Sequence, residues 1–305
     1  MANPFRVFTT NSAVTLRPRL ACEILPEGIV AARQESALNE NAITTFAPLP
    51  AGVLAPGLAA PNLLNWPAVV AAMRKALDDL AARDRQITLV VPDAAVRVLL
   101  LDFDTLPSKT ADILPMIRFR LRKLVPFEVE GASISYQRIG KENATAVRLL
   151  VAVMPQEVLA EYEGAVREAG YEPGAVLSSS LAAVAAVTSE EPALFVNRNG
   201  TTITTAITLP GDLLLHRTQE LPPNGQDPTL ELQRTVSVAM AYFEDTLRTP
   251  PMTLFYAGPG GAAEFAPVLN EETLHVRELV PMPLTGVSAA MPKGLLSGVV
   301  GALAN

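Results

Sequence analysis

Ile87-Thr88-Leu89-Val90-Val91-Pro92-Asp93 reads as a short, largely apolar strand that Pro92-Asp93 brings to a stop. What flanks it decides the architecture. Upstream, Leu20–Glu23 and Gly28–Arg33 are apolar stretches joined by Leu25-Pro26-Glu27-Gly28, turn chemistry that predicts a β-hairpin. A third strand, Ala42–Pro48, precedes a loop from Leu49 to Pro61 whose three prolines and two glycines forbid a long element. Asn65 then caps a helix with Trp66, Val69, Val70, Met73, Leu77, Leu80 and Ala81 at three- and four-residue spacing, and Pro67 falls in its first turn.

Downstream the texture changes. Strand Val96–Phe103 leads into a helix that Ser108 can cap and that reaches about Val125, with Pro115 either kinking it or marking its true start. Strands Ala132–Ile139 and Ala146–Val153 follow, around the turn Gly140-Lys141-Glu142-Asn143. An amphipathic helix begins near Pro155, carries Val158, Leu159, Tyr162, Val166 and Ala169 on one face, and stops at Gly170. From Arg97 to Arg148 there are nine basic and six acidic residues, a local +3 in a chain of net charge -7.

The remainder returns to alternating strands and helices. Ala175–Leu177 and Ser180–Val187 read as a strand and a small-residue helix. Leu194–Val196, Thr202–Leu209 and Leu213–Arg217 read as strands, the last two joined by the turn Pro210-Gly211-Asp212. Asp227-Pro228 opens a helix with Leu232, Val236, Ala239, Phe243 and Leu247, and strand Met252–Ala257 runs into Gly258-Pro259-Gly260-Gly261 and a helix to about Leu269. Leu295–Leu303 fits a short helix buried between lobes.

At 305 residues the chain exceeds one ordinary core and suits two compact lobes. Its 49% hydrophobic content excludes intrinsic disorder. The acidic balance argues against nucleic acid as a partner. Cys22 alone can form neither an internal disulfide nor a thiolate zinc cluster, and His216 and His275 stand far apart, so metal chemistry is not expected and both histidines read as surface or rim residues. No secretory signal is visible at Met1–Arg6, and Pro292, Lys293 and glycines interrupt the apolar stretch Leu284–Leu303, so a cytoplasmic protein is expected.

Three strands, a helix, a strand and then an inserted strand-helix-strand-strand module resemble the first lobe of actin-like ATPases, as in the division protein FtsA. Ile87–Asp93, Phe119-Arg120-Leu121-Arg122-Lys123-Leu124-Val125-Pro126-Phe127 and Leu149-Leu150-Val151-Ala152-Val153-Met154-Pro155 resemble the PilM family, the cytoplasmic actin-like proteins of type IV pilus assembly. Glu231–Gly258 is similar to that family's second lobe, and Gly294-Leu295-Leu296 to its final helix. The cytoplasmic domain of the type II secretion protein GspL is the nearest competing resemblance.

The resemblance implies an α/β, actin-like/ribonuclease H-like two-lobed fold. The first lobe is expected over 1–93 with 173–190, the inserted module over 94–172, and the second lobe over 191–305, with 294–304 packing back between lobes. It also implies a nucleotide cleft, whose first-lobe hairpin reads Asp-x-Gly, small hydroxyl residues, then Lys. Here Glu23 holds the acid's place, Leu25 stands for Gly, Pro26 removes an amide donor, Val30 replaces Lys, and Glu27 adds negative charge. The second phosphate loop, normally Asp-x-Gly, reads Asn197-Arg198-Asn199-Gly200, without the metal-ordering acid. Gly258, Gly260 and Gly261 match the loop near the adenosine, although a plain strand-to-helix turn explains them as well.

No bound cofactor is therefore expected, neither ATP nor magnesium. The expected role is a non-catalytic scaffold that docks the tail of a PilN-like membrane protein, at the cleft between the first lobe and the inserted module, and so sits at the inner membrane indirectly. An active ATPase and a GspL-like secretion platform are the alternatives. Pilus motor ATPases and a second copy of the chain are further candidate partners. Arg118, Arg120, Arg122 and Lys123 form either a solvated helix face or a docking surface for an acidic partner or anionic lipid. The Met116, Ile117, Phe119, Leu121 and Leu124 around them read as core. Ser178-Ser179-Ser180 shows no neighbouring His or acid pattern for nucleophilic chemistry and reads as a loop with a helix cap.

Overall fold

The computed structural model describes residues 17–36, 39–80, 82–140, 146–222, 227–280 and 291–304. Met1–Arg6, Ala81, the expected turn beyond Gly140 and the start of the apolar stretch at Leu284 lie outside the described residues.

β1 (Leu20–Leu25) and β2 (Gly28–Ser36) form the hairpin, with Leu25 opposite Gly28 and Glu23 opposite Val30. β3 (Asn39–Pro48) extends it. Helix α1 (Trp66–Asp78) starts where the side chain of Asn65 accepts the Ala68 N–H at 3.2 Å. β4 (Gln86–Val91) then pairs parallel with β1.

β5 (Arg97–Phe103) leads to α2 (Ile113–Leu121), and then to β6 (Ser133–Ile139), β7 (Val147–Met154) and α3 (Gln156–Glu168). α2 is shorter at both ends than its sequence predicts. Pro115 stands in its first turn, where the missing N–H has no intrahelical bond to lose, so the proline starts the helix rather than kinking it. β8 (Glu172–Ser178) and α4 (Ser179–Val184) follow, with the Ser178 hydroxyl capping α4 by accepting the Leu181 N–H at 3.4 Å.

The last third contains β9 (Ala193–Asn199), β10 (Thr202–Leu209), β11 (Asp212–Glu220), α5 (Thr229–Leu247), β12 (Thr253–Ala257), α6 (Gly261–Leu269), β13 (His275–Glu278) and α7 (Ser297–Leu303). β13 was not expected. It has four residues, alternates between exposed and half-buried, and owes its extended form to parallel pairing with β12.

The strands make two five-stranded sheets of one design, β3-β2-β1-β4-β8 and β11-β10-β9-β12-β13, each an antiparallel meander with two parallel strands added. A separate three-stranded sheet, β5-β7-β6, belongs to the insertion. The apolar face of α3 (Val158, Tyr162, Ala165, Val166) packs with Met73 and Leu77 of α1 in the first-lobe core. Packing therefore assigns α3 to that lobe, whereas the expected boundary at 172 gave it to the insertion. The reason is its stripe of apolar side chains, which the first sheet and α1 cover.

α7 lies against α4 and the opposite face of the first sheet, where Leu295, Val299 and Ala302 meet Ala21, Val30 and Val90. The buried Arg17 closes its C-terminal end by donating to the carbonyls of Gly301 (3.3 Å) and Ala304 (3.4 Å). A Cβ on Gly301 would run into the backbone carbonyl of Ala182, which cannot rotate away. Gly301→Ala is therefore expected to destabilise the protein by about 1–3 kcal/mol through overpacking, read as an earlier midpoint in urea unfolding. An unchanged midpoint would mean that α7 is not seated against α4. Among the described residues, no helix is long and apolar enough to cross a membrane.

Candidate functional site

The two meanders bring their first turns face to face. Pro26, in the β1–β2 turn, lies over Gly200, in the β9–β10 turn, so closely that a Cβ on Gly200 would stand 2.9 Å from the proline Cγ. Gly200 has φ +58, a conformation glycine adopts without strain. These turns are the two loops matched by resemblance to the phosphate loops of the actin-like fold, and here they touch each other. Leu25 and Val30 are buried in the core against α7 and extend no polar group towards the turns.

Glu23 is buried beneath this contact. Its carboxylate accepts the Ser179 hydroxyl at 2.6 Å and the backbone N–H of Val299, and it fills the space where Gly298 would carry a side chain. A protein carboxylate thus occupies the N-terminal end of α7, where unpaired amides favour negative charge. Burial nevertheless dominates. It pushes Glu23 up to about 8, against the Ser179 hydrogen bond, with the nearby Asp93 and Glu27 carboxylates adding to the rise. Glu23 is thus largely protonated at neutral pH.

Beside it, Asp93 joins the lobes. Its carboxylate accepts four bonds: Ser180 N–H (2.9 Å), Ser180 Oγ (2.8 Å), Asn197 Nδ2 (3.0 Å) and Thr204 Oγ1 (2.9 Å). Asn197 also donates to Ser179 Oγ at 3.2 Å. One carboxylate from the end of β4 thus gathers donors from α4 and from two strands of the second sheet.

His216 on β11 completes the group, with Nε2 3.0 Å from Ser180 Oγ. This corrects two expectations, since His216 is buried rather than at the rim and the serine run does have a histidine neighbour. Burial pushes His216 down to about 4, with Asp93 opposing, so it is neutral. The Ser180 proton goes to Asp93, so Nε2 carries a hydrogen and donates to Oγ. A histidine protonated on that nitrogen cannot take the serine proton, and Asp93 contacts the serine rather than the histidine. The geometry is therefore not an acyl-transfer triad. It is a buried clasp.

The glycine loop is equally filled. Gly258 N–H donates to Gly294 C=O at 3.1 Å, Tyr256 OH to Pro259 C=O at 3.2 Å, and Ala262 N–H to the Glu278 carboxylate at 2.7 Å. Side chains at Gly260 and Gly261 would meet Glu264 and Glu278. Asn199 is buried at the end of β9, and its amide has no protein partner. Among the described residues, no three His, Cys, Asp or Glu side chains gather as a metal cage.

The four cations lie apart from this junction, on α2 and the turn after it. Arg122 pairs with Glu130 at 2.8 Å, while Arg120 and Lys123 border a groove beside β5. Arg118 is partly buried on the helix. Phe119 and Leu124, expected in the core, are 66% and 48% exposed. The helix has one buried side, on Ile117 and Leu121; Phe119 falls on the other, and Leu124 lies in the turn beyond the helix end.

Solved structures share this fold. A chain of a "PilM-PilN type IV pilus biogenesis complex" matches 94% of this chain and 98% of its own length, with TM-score 0.71 at 15% identity. The cytoplasmic domain of EpsL, an inner membrane component of the type II secretion system of Vibrio cholerae, matches with TM-score 0.53 at 14% identity over 93% of each chain. A Bacteroides thetaiotaomicron protein described as having an actin-like ATPase fold and unknown function matches with TM-score 0.50 at 11% identity, over 85% of this chain and 90% of that one. The chain has an actin-like fold. No family model and no curated protein matches the sequence.

Of the residues named from the sequence, Glu23 and Asn197 meet through the Ser179 hydroxyl, and Gly258 bonds to Gly294. Asp93, Ser180, Thr204 and His216 were missed as site residues. The one local signal was an acid directly after a buried apolar strand.

Proposed function

We propose that this chain is a non-catalytic scaffold of a type IV pilus assembly machine, PilM-like, that docks the cytoplasmic tail of a PilN-like inner-membrane protein. The observation that carries this reading is the contact of Pro26 with Gly200. With the turns in contact, a protonated Glu23 beneath them and Gly258 bonded to Gly294, the residues do not fit a magnesium nucleotide. An actin-like body that holds no nucleotide keeps its surfaces for binding other proteins. Similarity along nearly the whole length of a PilM–PilN complex chain supports the pilus machine as the setting. The secretion-platform alternative draws on the EpsL likeness, and the two part on which membrane protein's tail binds.

Recruitment through a protein contact predicts a salt-resistant association with membranes. Co-sedimentation from cells with and without the PilN-like protein, at low and high salt, is the test. Deleting the partner's cytoplasmic tail should abolish pelleting. Reversing Arg118, Arg122 and Lys123 to Glu should weaken it only modestly, since surface cations act over a short, salt-screened range. Equal pelleting without the partner would contradict the scaffold reading.

A further inference from the structure

We propose that the inserted module carries a second peptide-docking groove, between β5 and α2, that takes an extended acidic–apolar segment by adding it as a strand to the free edge of β5. This does not rest on the pilus reading, and the groove is lined by residues of the insertion alone.

Four features converge there. First, β5 ends its sheet: the order is β5-β7-β6, and although β11 packs close to β5 through Leu213, no backbone hydrogen bond joins β5 to another described strand on its outer side. Second, this edge is only partly protected. Natural edge strands use charges, proline or a bulge to prevent pairing, whereas β5 has no proline or bulge and, between Arg97 and Asp102, presents Leu99-Leu100-Leu101 with an unbroken register against β7, and the first two of these leucines are only half-buried. Third, a groove of about 540 Å³ runs beside the edge, with Phe119 and Leu124 on its far wall. These are two of the large apolar side chains that the fold leaves exposed.

Fourth, the charge is one-sided. Arg120 and Lys123 border the groove, and neither has a carboxylate partner among the described ion pairs. The groove's one acid, Asp102, is already held by Arg148 at 2.7 and 3.2 Å. An incoming strand alternates its side chains, so apolar residues facing α2 can meet Phe119 and Leu124 while its backbone pairs with β5. Acidic residues between them would answer Arg120 and Lys123. A second copy of this chain fits less well, because it would bring another Arg120 and Lys123 to the same seam.

The test uses the full chain and a fluorescent synthetic peptide of alternating leucine and glutamate, followed by anisotropy. Controls are the leucine–lysine counterpart and the acidic peptide N-methylated at alternate amides along its pairing edge. The acidic peptide should bind saturably, and both controls should fail. Affinity should fall at least about tenfold in Phe119→Ala and in the double variant Arg120→Glu, Lys123→Glu, while Leu230→Ala, on exposed α5, leaves it unchanged. Thermal transitions confirm that the variants fold. Hydrogen exchange should slow at β5 amides on binding. Equal binding of acidic and basic peptides, unimpaired binding of the N-methylated peptide, or insensitivity to the charge reversal would overturn the proposal. So would a concentration-dependent dimer that Phe119→Ala dissolves, since the groove would then belong to a second copy.

Discussion

Asp93→Ala is expected to cost about 3 kcal/mol of stability or more, the largest effect of any single truncation at the junction. Four donors now converge on that carboxylate, from Ser180, Asn197 and Thr204, and all are buried. A buried donor left without a partner costs about 1–3 kcal/mol. Relief from burying the carboxylate offsets part of the sum, so several stranded donors leave a net loss of this order. Asp93→Asn should fall between, because one amide oxygen can still serve Ser180 while the NH₂ faces Asn197 and Thr204, which are donors themselves. Urea unfolding of the three proteins measures it. A loss below about 1 kcal/mol in Asp93→Ala would mean that the lobes are held by apolar contacts and that the clasp is incidental.

Glu23→Gln should gain on the wild type as pH rises. The Glu23 carboxyl sits at about 8 when folded, against 4.5 ordinarily, so the folded chain keeps a proton that the unfolded chain has released. Its contribution is fully present below pH 4.5 and is lost as pH rises through 8. The slope is about 1.4 kcal/mol per pH unit, and glutamine, which mimics the protonated acid, has none. His216 works in the opposite sense. Its folded value of about 4 lies below the ordinary 6.5, so its contribution is present above pH 6.5 and is lost as pH falls through 4. Between pH 4.5 and 6.5 the two slopes oppose each other, and from 6.5 to 8 Glu23 acts without that opposition. The difference between Glu23→Gln and wild type should therefore widen steadily up to pH 8 and then level off. Parallel stability curves would show that Glu23 is ionised or hydrated in the fold.

Much of the fold was legible because its signals are local. The hairpin at Pro26-Glu27, the Asn65 cap and the stripe on α3 each depend on residues a few positions apart. β13 was not legible, because four half-exposed residues become a strand only by pairing with β12. The exposure of Phe119 and Leu124 was misjudged for a related reason. Apolar type suggests burial, but only packing decides which side of α2 is covered and whether the turn after it, with Leu124, is covered at all.

The candidate site divides the same way. Glu23, Leu25, Val30 and Asn197 were named from the sequence through the resemblance to a loop motif, and of these Glu23 and Asn197 reach the buried junction while Leu25 and Val30 pack against α7. The clasp could not. Asp93 and Ser180 are 87 positions apart, Ser180 and His216 another 36, and neither spacing has meaning until the two sheets face each other. Pro26 and Gly200 were placed in two phosphate loops by resemblance, but their direct contact has no signal in the sequence.

The central claim is that protein side chains, not nucleotide, fill the junction between the lobes. Calorimetric titration of the purified chain with magnesium and ATP tests it most directly. With Pro26 on Gly200 and Glu23 beneath them, the account predicts no saturable heat up to about 1 mM ATP, which limits binding to weaker than about -4 kcal/mol. A saturable isotherm with a Kd in the low micromolar range, about -8 kcal/mol, would contradict it and make the chain a nucleotide-binding member of the actin-like fold.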